Sequence, residues 1–378
     1  MAKNTLKVDV NPEIIKWARE TAGWTIEECS KKLKTSQEVY KEIESGKKSP
    51  SLRQLKILAQ SFKRPLSVFF LPKPPVEPSI ASQFRILPKS EKEISKELRL
   101  AIRKARYYQS IANELMLDLN IDQTPKIVKV TPYDSPQEVA LKERKESGIS
   151  IQDQIRFKNA YEAFDKWRNF VESKNILVFQ FKFSLKDARG FCLVDKLPYV
   201  IVVNSEDNIL ARIFTLFHEY AHLLLGISEI YIEELVPDTE IERWCNSFAS
   251  EFLVPEEEIK KIPEFQLFLQ TKELTQERME ILSGKLKISK KALITKLKTL
   301  NLISPEEYKE KEKQLEQIKH FRTGMIITTP ERRCIQEKGR KFISTVLEGK
   351  EKGLITTKEL LETLSIQLGR LEKLEKLL

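Results

Sequence analysis

The stretch Phe214-Thr215-Leu216-Phe217-His218-Glu219-Tyr220-Ala221-His222-Leu223-Leu224-Leu225-Gly226 decides how the centre of this 378-residue chain is read. Together with Ile209, Leu210 and Ile213, its apolar residues nearly surround a helix, so that helix should be buried and its polar groups should need partners. His218 and His222 are four residues apart and share one helix face, where both imidazoles can reach a single metal ion. Glu219 then sits beside the ion rather than on it. This is the spacing of a zinc-peptidase helix. The competing reading is a surface helix that happens to carry two of the chain's three histidines.

Immediately upstream, Ile176-Leu177-Val178-Phe179-Gln180-Phe181 is an apolar run of strand length, preceded by a helix over about Asp153 to Glu172. Arg189 to Leu193 and Tyr199 to Val203 are rich in β-branched and aromatic residues and are separated by a polar turn at Asp195-Lys196, which predicts a small antiparallel sheet. Asn204 and Ser205 are placed to cap the histidine helix, with Glu206 and Asp207 in its first turn. An edge of the Tyr199 to Val203 strand could hold a peptide substrate by strand addition. Tyr220 points away from the side of Glu219 and is expected in the core.

Two histidines leave a catalytic zinc short of one protein ligand, so a third must lie downstream. Between Gly226 and Glu242 stand Glu229, Glu233, Glu234, Asp238, Glu240 and Glu242, without a basic residue. Glu242 opens a helical stretch to Leu253 and shares a face with Asn246 four residues on. That spacing lets the carboxylate reach a metal while the asparagine orients a ligating imidazole. Glu240 is the reserve.

The region from about residue 80 to 260 resembles the ImmA/IrrE family of metallopeptidases. The resemblance rests on four motifs in order: Arg189-Gly190-Phe191, Pro198 through Asn204, Thr215 through His222, and Glu242 through Pro255. It implies that His218, His222 and Glu242 bind Zn2+, that Glu219 is the catalytic base, and that the substrate is a protein, by family a repressor.

The first 72 residues carry 14 Lys and Arg against 8 Asp and Glu, whereas the rest of the chain shares only +4 of the net +10. A basic N-terminal segment suits a polyanion. Five short helices are predicted there. Asn11 precedes Pro12 at the start of the first, Thr25 and Glu28 form a capping box on the second, Ser36 caps the third, and Pro50-Ser51 and Pro65 open the last two. The run from Thr25 to Pro50 resembles the XRE-type (Cro/C1 phage-repressor) helix-turn-helix domain, including its I-E-x-G-x-x-x-P ending at Ile43 to Pro50. That resemblance implies double-stranded DNA as a partner, with Ser36, Gln37, Glu38 and Lys41 facing it. Gln37 would read a base edge, and Lys41, Lys47 and Lys48 would meet phosphates. Lys34 stands where the family usually has glycine, and Glu38 and Glu42 put negative charge on the reading helix. A protein-docking module of the same fold is therefore the alternative.

Leu71 to Pro78 holds four prolines in eight residues and marks a domain boundary. A long helix follows over residues 90 to 119, with Arg99, Arg103, Lys104 and Arg106 read as a solvated face. The expected organisation is 1–72 helix-turn-helix, 73–89 proline-rich linker, 90–260 metallopeptidase, and 261–378 a helical C-terminal region. Within the last, Ile281 to Leu300, with Ser289 as a cap, is either a second helix-turn-helix unit or, as favoured here, packing for the peptidase. His320 is isolated and is read as structural. The fold class is thus mainly α with a small β-sheet.

No run of eighteen apolar residues and no signal-like N-terminus appears, so neither membrane spanning nor export is expected, and the chain is placed in the cytoplasm. Cys29, Cys192, Cys245 and Cys334 are dispersed and should be buried free thiols. The functional expectation is a zinc-dependent endopeptidase that cleaves a regulatory protein to control transcription. The alternatives are a DNA-binding regulator with a non-proteolytic sensor or scaffold domain, and a component of a toxin–antitoxin-like system. The sequence fixes no oligomeric state.

Overall fold

The structure is a computed structural model, described here over residues 7–75, 94–227, 230–231, 240–317 and 328–378. Most of the 73–89 linker, the acidic residues Glu229, Glu233, Glu234 and Asp238, and His320 lie outside the described residues. The chain divides into two compact units, Met1–Tyr108 and Gln109–Leu378. The architecture is mainly α with one small sheet, as the periodicity predicts.

In the first unit, α1 (Pro12–Thr21), α2 (Ile26–Leu33), α3 (Gln37–Glu44) and α4 (Leu52–Phe62) lead to a 3-10 turn at Leu66–Phe70. The caps are those read from the sequence. Asn11 accepts from Glu13 N, Thr25 and Glu28 form a capping box, Ser36 accepts from Val39 N, and Ser51 pairs reciprocally with Gln54. Ile14, Ile15, Ala18, Cys29, Tyr40, Ile43, Leu55, Leu58 and Phe62 close one core, joined by Leu100 from α5 (Lys96–Asp118). Arg19 grips Glu44 with Nε 2.7 Å from Oε1, which ties α1 to α3. At the α2–α3 turn Lys34 is left-handed, with φ 54° and ψ 49°. This is the conformation that glycine adopts without steric cost, which is why the family pattern has glycine there.

In the second unit, α6 (Pro136–Glu146), α7 (Ile151–Arg156) and α8 (Ala160–Ser173) precede the sheet. The single helix expected over Asp153 to Glu172 is in fact two. Phe157 is extended (φ −54°, ψ 132°), and Asn159 restarts the helix by accepting from Tyr161 N and Glu162 N. The strands are β1 (Ile176–Phe181), β2 (Gly190–Leu193), β3 (Tyr199–Asn204) and β4 (Ile230–Tyr231), in the order β1-β3-β2-β4. β2 and β3 are antiparallel as expected, but β1 runs parallel to β3, with Ile176 opposite Tyr199. The helix α8 packs against β1, and burial of all six β1 residues fits a strand covered on both faces. β3 is interior, so its backbone is already paired on both sides and the expected strand addition at Tyr199 to Val203 is ruled out.

The histidine helix α9 (Ile209–Leu224) follows β3, and α10 (Glu240–Leu253) packs against it. The cap of α9 is Asn208, which accepts from Leu210 N, rather than Asn204 or Ser205. Asn204 instead donates to Phe183 O and Ala188 O, bracing the loop between β1 and β2.

The remaining helices are α11 (Glu256–Ile259), α12 (Pro263–Thr271), α13 (Gln276–Leu286), α14 (Lys290–Thr299), α15 (Pro305–Gln317), α16 (Pro330–Lys338), α17 (Arg340–Glu351), α18 (Thr357–Leu364) and α19 (Leu371–Glu375). Ser289 caps α14 as expected. Leu282, Leu286, Leu293, Ile294 and Leu297 lie in the same core as α9 and α10. The basic residues of this stretch are engaged: Lys290 with Glu280, Lys291 with Glu312, Lys298 over the Tyr308 ring, and buried Lys296 with Glu251. All four cysteines are free and buried, and among the described residues no helix is long and apolar enough to cross a membrane.

Candidate metal centre

The spacing of α9 and the start of α10 brings three donor side chains together. His218 and His222 are fully buried, and Glu242 is 4 % exposed. The two Nε2 atoms are 3.1 Å apart, His218 Nε2 is 3.2 Å from Glu242 Oε2, and His222 Nε2 is 3.3 Å from Glu242 Oε1. Among the described residues this is the one group of three His, Cys, Asp or Glu side chains whose ligand atoms converge in this way, all within 4.8 Å. For a tetrahedral ion bonded at about 2.0–2.1 Å, the edges between ligand atoms are about 3.3 Å. The two imidazole nitrogens lie near that separation and one carboxylate oxygen of Glu242 faces each of them, so the donor set suits a metal ion. Glu240, the reserve ligand, is exposed and is not in the group.

The other imidazole nitrogens are also engaged. His218 Nδ1 lies 3.0 Å from Asn246 Oδ1, and His222 Nδ1 lies 3.6 Å from Cys245 Sγ. A proton on His218 Nδ1, donated to the amide oxygen, leaves the Nε2 lone pair facing Glu242. Glu242, Cys245 and Asn246 occupy positions i, i+3 and i+4 of α10, so one helix face supplies a donor and a partner for each histidine. The Asn246 side chain lies where the sequence expectation puts it, beside a ligand-candidate imidazole. Cys245 was read only as a buried thiol, although the same spacing carries its signal. Burial works to raise the Glu242 carboxyl, but His218 and His222 in their protonated form, with Nε2–H toward it, outweigh burial and hold the group well below the usual carboxylate range.

Glu219 is fully buried on α9, one residue from His218. It lies against β2: a Cβ built on Gly190 would come 2.9 Å from Glu219 Oε1. Tyr220 is in the core as expected, and its hydroxyl donates to Glu143 Oε2 at 2.7 Å. At the base of the helix, Arg189 Nη1 pairs with Asp207 Oδ2 at 2.5 Å, and Arg212 donates to Asp207 O and Gln180 Oε1.

In the first unit, Ser36, Gln37, Glu38, Lys41, Lys47 and Lys48 are all exposed, on and just after α3. The Ser36 hydroxyl is used to cap α3, and Lys48 lies 3.9 Å from Glu42.

Residues 171–298 match the model of a peptidase family described as the IrrE N-terminal-like domain, and residues 15–69 match the helix-turn-helix family model. The chain carries a helix-turn-helix domain followed by an IrrE N-terminal-like domain. The first match takes in every strand from β1 to β4, both helices of the metal centre, and α13 with nearly all of α14. No curated protein and no solved structure gives a significant match. The IrrE-like domain implies a metal cofactor and a protein substrate, and the helix-turn-helix domain implies DNA binding.

Proposed function

We propose that this chain is a zinc-dependent endopeptidase that cleaves a regulatory protein, a repressor, and that its helix-turn-helix domain ties this cleavage to transcription. The observation that carries the reading is the convergence of His218, His222 and Glu242, with ligand atoms all within 4.8 Å of one another, and Glu219 on the helix of the two histidines. His218, His222 and Glu242 would hold the zinc, which would supply water activation and polarisation of a peptide carbonyl. Glu219 takes a proton from the attacking water and returns it to the leaving amine, a task for which a carboxylate anchored one residue from His218 is suited. Asn246 and Cys245 hold the two imidazoles with Nε2 turned toward Glu242. The domain organisation proposed is helix-turn-helix over 1–72, linker over 73–89, peptidase over 90–260, and a helical region to 378 that supports the peptidase.

The decisive experiment is cleavage of a co-expressed candidate repressor by wild-type chain and by variants of the centre. The role of Asn246 is tested apart from turnover. Asn246→Ala is expected to weaken zinc affinity about 10- to 100-fold, measured by chelator competition, because His218 loses the acceptor that fixes its tautomer. Unchanged affinity would remove Asn246 from the site.

On the DNA side, Gln37, Lys41, Lys47 and Lys48 are proposed as contacts, with Ser36 and Glu38 on the same exposed face. Replacing Lys47 and Lys48 with alanine should weaken binding of operator and unrelated duplexes alike. The slope of log affinity against log salt should fall by about 2. A salt-dependent shift assay with the full chain measures both, and no binding of any duplex at low salt would favour a protein-docking role for this domain.

A further inference from the structure

The metal-centre helix is not shaped by its own residues alone. β2 meets it at Gly190, which pairs with Val203 of β3 on one side and Tyr231 of β4 on the other. Its backbone is therefore fixed from both flanks. A Cβ at this position would lie 2.6 Å from Thr215 Cγ2, 2.9 Å from Glu219 Oε1 and 3.0 Å from Val202 O. Thr215 and Glu219 are i and i+4 on α9, so one face of the helix rests on the bare backbone of Gly190.

We propose that Gly190 is a positioning residue for Glu219, its missing side chain setting how closely the carboxylate can lie against β2. This rests on the reading of Glu219 as the general base. Three neighbours could yield to an added methyl, and they differ in stiffness. Val202 O belongs to a paired strand and cannot retreat without breaking the sheet. Thr215 is 1 % exposed and β-branched, so its rotamer on a helix is confined. The Glu219 carboxylate ends a side chain with three rotatable bonds and is the part that moves. Ordinary contact requires a shift of about half an ångström, and misplacing a reacting group on that scale costs rate far more than it costs binding. The three atoms nearest to a Gly190 Cβ belong to Thr215, Glu219 and Val202 and not to His218 or His222, so the strain falls first on Glu219 rather than on the donor cluster.

The test uses the full chain, with a quenched fluorescent peptide chosen by screening a library against wild type. Gly190→Ala is expected to retain one equivalent of zinc and an unaltered cobalt(II) absorption spectrum. Its kcat should fall about 10- to 100-fold, with KM within about twofold. Thr215→Ser in the Gly190→Ala background removes the closest methyl contact and should restore the thermal midpoint without restoring kcat. Glu219→Asp, whose shorter side chain withdraws from β2, should lower kcat in wild type but raise it in Gly190→Ala. An undiminished kcat in Gly190→Ala overturns the proposal, as does recovery of kcat together with stability on adding Thr215→Ser. A wild-type chain that holds zinc and cleaves no peptide in the library overturns the peptidase reading itself, and this inference with it.

Discussion

Glu219→Gln should abolish cleavage while leaving the metal centre assembled. The amide is isosteric with the carboxylate, so it fits the same space against Gly190 and leaves the three donor side chains unchanged. It can no longer accept the proton of an attacking water, and loss of a general base typically costs about 10²–10⁴ in rate. The expected pair of results is stoichiometric zinc in the purified variant and no detectable cleavage of a co-expressed repressor that wild type cuts. Unchanged cleavage would sink the mechanism. Zinc retained by both proteins, with neither cleaving any candidate, would point to a sensor or scaffold.

The second large effect concerns stability. Arg168 on α8 is buried and donates to Glu172 Oε1 at 3.2 Å, to Ile335 O at 3.0 Å, to Gln336 O at 2.7 Å, and to Val178 O on β1. One guanidinium thus joins α8, the outer strand of the sheet and the C-terminal helix α16. Gly339 makes this possible, because a Cβ there would strike Glu172 and Arg168, and its φ of 78° suits glycine. Burial lowers the arginine and raises the glutamate, each losing hydration that the other only partly replaces. Arg168→Ala leaves Glu172 buried without its counter-charge and removes a donor from the carbonyls of Val178, Ile335 and Gln336, of which Ile335 O keeps Gly339 N and Gln336 O keeps Gln180 Nε2. The expected loss is about 3–5 kcal/mol, read as a fall in the thermal midpoint of the second unit with loosened proteolytic protection of residues 328–378. A change below about 1 kcal/mol would mean that the pair is dispensable.

These two sites were unequally legible. The helices of the first unit could be read almost to the residue because their caps are local: Asn11, Thr25 with Glu28, Ser36 and Ser51 each act within three positions. His218 and His222 were legible because a period of 3.6 residues puts them on one helix face without knowledge of the tertiary fold, whereas Glu242, on a second helix, follows from the fourth motif of the resemblance. Asn159 was not read as a restart, since the apolar pattern runs through Phe157 and hides the break. The parallel pairing of β1 with β3 was hidden for a different reason. Apolar runs such as Ile176 to Phe181 state that a strand is buried but not which neighbour it takes, and the edge proposed at Tyr199 to Val203 failed on that point. Gly190 stands in the first of the four motifs, but nothing local tells what its bare backbone accommodates, because that contact comes from a helix beginning to meet it 25 residues on, at Thr215. Arg168 carries no sequence signal of its own, because its carbonyl partners lie 167 and 168 residues away on α16.

The central claim is that His218, His222 and Glu242 together hold one metal ion. X-ray absorption at the zinc edge, with metal content of the purified full chain, tests it most directly. One equivalent of zinc with two imidazole nitrogens and carboxylate oxygen at about 2.0–2.2 Å, falling to a small fraction in Glu242→Ala, is the predicted result. A chain that takes up no zinc after dialysis against it, or that keeps a full equivalent and an unchanged spectrum in Glu242→Ala, would contradict it.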